Sequence, residues 1–194
     1  MSRLRVNEIF YSLQGEGARK GSANIFVRFA ECNLKCDFCD TEFESYRELD
    51  VEELLHECKQ FPCKNIVFTG GEPLLQLTDQ VVKQFKKFRY YIAIETNGTI
   101  TPPKGLDWIT VSPKIAEHAL VKKFKGVHID ELKYVRNRSQ GIPHPKLFAD
   151  HYFISPEFDG DYPNIGNIEH CIRLVKENPQ WKLSLQEHKF LKIR

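Results

Sequence analysis

Cys32, Cys36 and Cys39 put three thiols within one short stretch, Cys32-Asn-Leu-Lys-Cys36-Asp-Phe-Cys39, directly after the apolar run Ile25–Phe29. A loop this short can wrap its thiols around one metal centre. Thiolates are soft ligands that favour iron–sulfur clusters or zinc. A closed structural zinc site takes four ligands. No fourth ligand adjoins the motif, although His56, Cys58 or Cys63 could complete one. Three cysteines on a cubane cluster would instead leave one iron open to a bound molecule. The spacing favours iron–sulfur and leaves zinc open. Cys58 and Cys171 fall on apolar helix faces and read as core residues.

Something must position those thiols, and the rest of the chain reads as short strands alternating with helices. Strands are predicted at Ile25–Phe29, Asn65–Phe68, Tyr91–Glu95, Trp108–Val111, Leu132–Val135, Tyr152–Ile154 and Lys182–Leu185. Helices are predicted behind Asp50, a plausible N-cap, and over Val81–Phe88 and about Ile168–Glu177. This alternation implies βαβ units and a parallel sheet. Polar and Gly-rich residues recur at strand ends: Thr69-Gly70-Gly71-Glu72-Pro73, Thr96-Asn97-Gly98, Ser112-Pro113-Lys114. In such folds those ends build the site. The segment Arg136–Asp150, with two prolines and a glycine, reads as a loop in place of a crossover helix. The expected fold is therefore α/β, an incomplete parallel (β/α) barrel with reduced crossover helices, in one domain over residues 1–194.

Composition removes other classes. The 194 residues carry 28 Lys+Arg against 26 Asp+Glu, a net charge of +2, too weak to suggest nucleic-acid binding. No run approaches the roughly 20 apolar residues of a membrane span. The N-terminal stretch lacks a secretory apolar core, so a cytoplasmic location is expected, where clustered cysteines stay reduced. Lys83, Lys86, Lys87 and Arg89 form a basic run that reads as a solvated helix face, or alternatively as a docking patch for a small acidic flavoprotein.

The CxxxCxxC motif resembles that of the radical S-adenosylmethionine (SAM) enzymes. Within them the chain is similar to the 7-carboxy-7-deazaguanine synthase family. The residues carrying this likeness are Ser12-Leu13-Gln14-Gly15-Glu16-Gly17, Phe26-Val27-Arg28, Cys39-Asp40-Thr41, Gly70-Gly71-Glu72-Pro73, Glu95-Thr96-Asn97-Gly98 and Gln186-Glu187-His188-Lys189. The resemblance implies that Cys32, Cys36 and Cys39 hold a 4Fe–4S cluster whose fourth iron is chelated by SAM. An electron from the cluster then cleaves SAM to a 5′-deoxyadenosyl radical. It implies SAM contacts from Phe38, Gly71, Glu72, Ser112 and Lys114, and Mg²⁺ on Thr41. The implied reaction removes hydrogen from carbon 6 of 6-carboxy-5,6,7,8-tetrahydropterin, contracts the ring and releases ammonia, with SAM regenerated. A flavodoxin-like electron donor and a homodimer follow from the same resemblance.

The residue chemistry agrees. A pterin has an amide and amine edge rich in donors, which suits Gln14, Glu16 and the backbone of the Leu13–Gly15 turn. Its carboxylate suits the planar fork of Arg28. Thr69, Gln186 and His188 lie beyond strand ends and are further substrate candidates. Plainer roles stand beside these: a structural ion pair for Arg28, backbone capping for Glu16 and Thr41, a solvent position for Lys114. Two other functions compete, an activase that places a glycyl radical on a partner, and a non-catalytic zinc-binding module.

Overall fold

The computed structural model describes residues 3–37, 39, 42 and 44–194. Among the described residues one sheet of nine strands organises the chain: β1 (Leu4–Leu13), β2 (Ala23–Phe29), β3 (Arg47–Leu49), β4 (Asn65–Gly70), β5 (Tyr91–Thr96), β6 (Trp108–Val111), β7 (Glu131–Arg136), β8 (His151–Pro156) and β9 (Lys182–Leu183). Their order is β3-β1-β2-β4-β5-β6-β7-β8-β9. From β2 through β9 all neighbours run parallel. The sheet does not close, so β3 and β9 remain edges. It is the incomplete parallel barrel that the alternating pattern predicts.

Two antiparallel strands, β1 and β3, are additional to the expected set. The register of β1 against β2 shifts between Val6 and Glu8. A bulge of this kind flips the apolar alternation to the other face and hides the strand from a period-2 reading.

The crossovers are as lean as the sequence suggests. Helix α1 (Val51–Cys58) links β3 to β4, α2 (Asp79–Lys87) links β4 to β5, and α3 (Ile165–Glu177) links β8 to β9. Residues 137–150 pass from β7 to β8 without a helix. α1 starts in a full capping box: Asp50 accepts from the Glu52 and Glu53 amides, and the Glu53 carboxylate accepts from the Asp50 amide. A fourth helix, α4 (Glu187–Leu191), lies in the tail that sequence left unassigned. None of the helices is long and apolar enough to cross a membrane.

Alternation along the strands divides two faces. Outward-facing Ile25, Val27, Phe29, Ile66, Phe68, Ile92 and Ile94 pack against the helices as the main core. Phe29 stacks on Phe68 with centroids 5.6 Å apart, and Phe68 meets Phe85 of α2 edge-on at 5.2 Å. Each such pair adds about 0.5–1.5 kcal/mol beyond burial. Cys58 and Cys171 sit in this core, as their helix faces predict. On the inner face, Phe26, Val67 and Ala93 form a small apolar layer with Phe10, Tyr91 and Trp108. Two residues further along the same strands the inner face turns polar, at Arg28, Thr69, Glu95 and Thr110. The apolar layer is the base on which the polar groups stand.

Candidate active site

The polar end of the inner face opens into one cavity of about 1010 Å³. Its cysteine wall carries Cys32, Cys36 and Cys39, which come straight off β2. Burial pushes the Cys36 thiol up, and the nearby Lys114 ammonium opposes that. The other cysteines are elsewhere: Cys58 and Cys171 are buried in the helix-side core, and Cys63 donates to the Ala23 carbonyl at 3.4 Å. His56 stands on the exposed side of α1. None of these lines the cavity, so none of them is placed to close a four-ligand zinc shell around the three thiols. Such a donor set fits a cluster that keeps one iron open. Phe38 and Thr41, expected at SAM and Mg²⁺, lie outside the described residues.

The adjoining wall is the end of β4 and its neighbours. Gly70 has φ +127°, and a Cβ there would meet the Phe29 carbonyl oxygen at 2.1 Å. A Cβ on Gly71 would meet the Glu31 carbonyl oxygen at 2.0 Å. Only glycine lets this turn lie flat on the chain leading to Cys32, where the Glu72 amide donates to Glu31 at 2.8 Å. Gly71, Ser112 and Lys114 all line the cavity, and Lys114 Nζ donates to Ser112 Oγ at 2.9 Å.

Glu72, which the resemblance assigns to SAM, keeps its side chain tucked between the strand ends. Its side chain is 0% exposed and does not line the cavity. The carboxylate accepts from Thr96 Oγ1 at 2.7 Å and from the amides of Asn97 and Leu74 at 2.8 and 3.0 Å. Burial nonetheless raises its pKa against the pull of these bonds. Its three accepted bonds fasten the ends of β4 and β5 together. Asn97, positioned by that bond, reaches Asn33 Oδ1 at 3.1 Å and lies 4.0 Å from Cys32 Sγ. Asn97 belongs to the strand-end motif, but sequence alone assigns it no contact with the cysteine loop.

Across the cavity stand the β1–β2 turn and the tail. Leu13, Gln14, Gly15, Glu16 and Arg28 line it, as do Thr69, Gln186 and His188. Gln14 Nε2 donates to Glu95 Oε1 at 2.9 Å, and Thr69 Oγ1 donates to Glu95 Oε2 at 3.1 Å. Gln14 Oε1 accepts from the Glu16 amide at 3.2 Å. Arg28 lies over the Phe10 ring, with Nε 3.6 Å from Glu8 Oε2. The tail is tied on by the Glu187 amide, which donates to the Gly15 carbonyl at 3.0 Å. A Cβ on Gly15 would lie 2.3 Å from His188 Nδ1, so glycine is required where tail and turn meet.

Two site residues escaped sequence reading, Glu95 and Lys133. Lys133 projects inward from β7 and forms an ion pair with Glu16. The signal was there: Glu131 and Lys133 alternate with Leu132 and Tyr134, placing charges on the inner face of a buried strand. The basic run on α2 stays outside the cavity, and its Lys86 pairs with Asp107.

The comparisons with known proteins are consistent with this arrangement. The radical SAM superfamily matches residues 27–134. The chain is 37% identical over 190 residues to the 7-carboxy-7-deazaguanine synthase of Bacteroides thetaiotaomicron, covering 98% of each protein. It is 36% identical over 198 residues to that of Haemophilus influenzae, covering 98% of this chain and 94% of the relative. The crystal structure of QueE from Escherichia coli has the same fold, with a TM-score of 0.73 at 22% identity over 96% of this chain and 95% of that one.

Proposed function

The chain belongs to the radical SAM superfamily and, within it, to the 7-carboxy-7-deazaguanine synthase family, and from that premise we propose that it converts 6-carboxy-5,6,7,8-tetrahydropterin to 7-carboxy-7-deazaguanine with loss of ammonia. The observation that carries this reading is the two-sided cavity: three thiols on one wall, and an arginine with paired carboxylates on the other. Family membership favours the lyase over the activase and zinc-module alternatives.

Cys32, Cys36 and Cys39 would hold the 4Fe–4S cluster. When bound, the cluster supplies the electron that cleaves SAM and so the radical that starts the rearrangement. Gly71, Ser112 and Lys114 are assigned to SAM, with Phe38 by family pattern. The glycine turn brings backbone groups within reach, and Lys114 offers a cation for a carboxylate or ribose oxygen. Glu72 is assigned to SAM through the backbone of the same turn, while its carboxylate fixes Asn97 and the strand ends.

Arg28 is assigned to the substrate carboxylate. Glu8 balances its charge in the free protein, and a carboxylate in bidentate geometry is the stronger partner. Glu16, with the Leu13–Gly15 backbone, accepts from the amide and amine edge. Gln14 and Thr69 act on the same edge through Glu95, which both already hold. Gln186 and His188 close over the substrate from the tail. Mg²⁺, assigned to Thr41, would take substrate oxygens and water as remaining ligands, as this ion commonly does. The product is the substrate less one ammonia, so the chemistry consumes no net electrons and is consistent with SAM being regenerated.

Residues 1–194 are read as one domain, located in the cytoplasm, in keeping with six cysteines that form no disulfide. A flavodoxin-like donor is assigned to cluster reduction, and a homodimer to the assembly. A monomeric mass in light scattering overturns the dimer.

The decisive assay is anaerobic. Protein reconstituted with iron and sulfide receives a reductant, SAM, Mg²⁺ and 6-carboxytetrahydropterin, and mass spectrometry follows the deazaguanine. Product that is lost in Cys36→Ala supports the reading. Reductive SAM cleavage without product overturns the substrate and keeps the superfamily. Normal pterin binding in Arg28→Ala overturns the role given to that residue.

A further inference from the structure

Lysine is almost never buried without a partner, yet Lys133 points into the barrel with its side chain only 12% exposed. Three glutamates from three different elements surround it. Glu16 comes from the β1–β2 turn and is itself 15% exposed. Glu95 comes from the end of β5, and Glu131 stands two residues earlier on β7. Their charges all act on the Lys133 ammonium. Glu131 accepts from the Ala18 amide at 2.9 Å, which fixes the turn carrying Glu16 from below. Arg19 sits on the far side, over the Tyr91 ring at 4.9 Å, and faces Glu95, Glu131 and Asp107.

Building on the substrate reading above, we propose that Lys133 is a positioning residue: its ion pair holds the Glu16 carboxylate in place as an acceptor facing the donor edge of the pterin. The argument is one of donors and acceptors. Three carboxylates crowded on one floor repel one another, and without a cation one of them takes up a proton. A protonated Glu16 would present an O–H to substrate N–H groups, setting donor against donor. With Lys133 present, the carboxylate offers lone pairs only. Burial alone would lower the Lys133 pKa, but Glu16, Glu95 and Glu131 outweigh it and raise it. The ammonium therefore keeps its proton at neutral pH and does not serve as a base toward the substrate. Its effect reaches the reaction through Glu16.

The test is a double-mutant cycle with Lys133→Met, Glu16→Gln and the pair combined. Equilibrium binding of 6-carboxytetrahydropterin is measured on anaerobic, cluster-loaded, SAM-bound protein, beside kcat and iron content. Lys133→Met is expected to weaken pterin binding roughly tenfold to a hundredfold, the weight of one charge-assisted hydrogen bond. Iron content and SAM binding stay at wild-type levels, and the loss falls on KM more than on kcat. The double variant binds no worse than Glu16→Gln alone. Lys133→Arg, which keeps the charge, recovers most of the affinity. Wild-type binding in Lys133→Met overturns the proposal, as does a double variant in which the two losses multiply. Should Lys133→Met fail to fold, Lys133→Gln takes its place in the cycle and is judged by the same outcomes. Wild-type protein that ignores the pterin overturns the substrate reading itself, an outcome distinct from either of these.

Discussion

Glu72 and Glu16 are two glutamates at the same barrel mouth, placed there by opposite means. Glu72 is wholly buried and answers three neutral donors, two of them backbone amides. Glu16 keeps a little exposure, faces the cavity and answers a lysine. A carboxylate spent on backbone donors fixes the shape of a rim and has nothing left to offer a ligand. One held in place by a lysine still has lone pairs to offer a ligand. The wall toward the cysteines is thus held by hydrogen bonds to the chain itself, whereas the opposite wall is held by charge pairs that a substrate can enter.

The sharpest break in this division comes from the cysteine wall. Cys36→Ala is expected to abolish both cluster incorporation and SAM cleavage, read as lost iron and lost absorbance, while the opposite wall keeps its fold. Next in size is Glu72→Gln. Its amide turns a donor toward the Thr96 hydroxyl or a buried amide, and about 2–3 kcal/mol of stability is lost in chemical denaturation. Glu16→Gln should leave the denaturation midpoint nearly unmoved, because Glu95 and Glu131 still face Lys133 and one repulsion is relieved. Equal destabilisation by both substitutions would break the comparison.

Gly15→Ala probes the seam between turn and tail. The added methyl runs into His188, and kcat/KM for the pterin should fall roughly tenfold or more, since small misplacements at a reacting centre are costly. SAM cleavage without substrate should persist. The smallest effect is one of pH. Burial raises the pKa of Glu72 and of Glu131 above the ordinary 4.5. Each binds its proton more tightly folded than unfolded, so its contribution to stability is full below 4.5 and is lost as pH rises through the folded value. Denaturation midpoints across this range should slope downward, and Glu72→Gln should remove part of the slope, leaving the part due to Glu131.

Most of the parallel sheet was legible because buried strands carry β-branched and aromatic runs, as at Ile25–Phe29 and Trp108–Val111. The strand β1 was not, since its bulge breaks the alternation on which such reading depends. The cysteine loop was visible from spacing alone. The wall opposite the cysteines was visible only through resemblance, because Gln14, Arg28 and His188 come together from separate parts of the chain. For Glu72, its place in a Gly-rich strand end says that it sits at the rim, and nothing in the local sequence says which way its side chain turns. Lys133 was overlooked because a lysine within a strand ordinarily marks a solvent face; its alternation with Glu131 around Leu132 was the signal, and the sheet order shows that β7 has no such face here.

The tail that completes the cavity has a consequence for the order in which the molecule forms and opens. Ser12 hydrogen-bonds the Arg194 carbonyl across 182 positions of sequence, and Lys20 reaches Glu187 at 2.7 Å. These contacts need residues 187 and 194, whereas the cysteine wall is built from earlier segments of the chain. The short helix α4 buries none of its residues, so it is the part expected to detach at the least free energy. The amides of Glu187 and Ile193 should exchange with solvent well ahead of those in β4 and β5. Passage into and out of the cavity would then require only a brief loosening of one turn of helix, with the sheet intact beneath it.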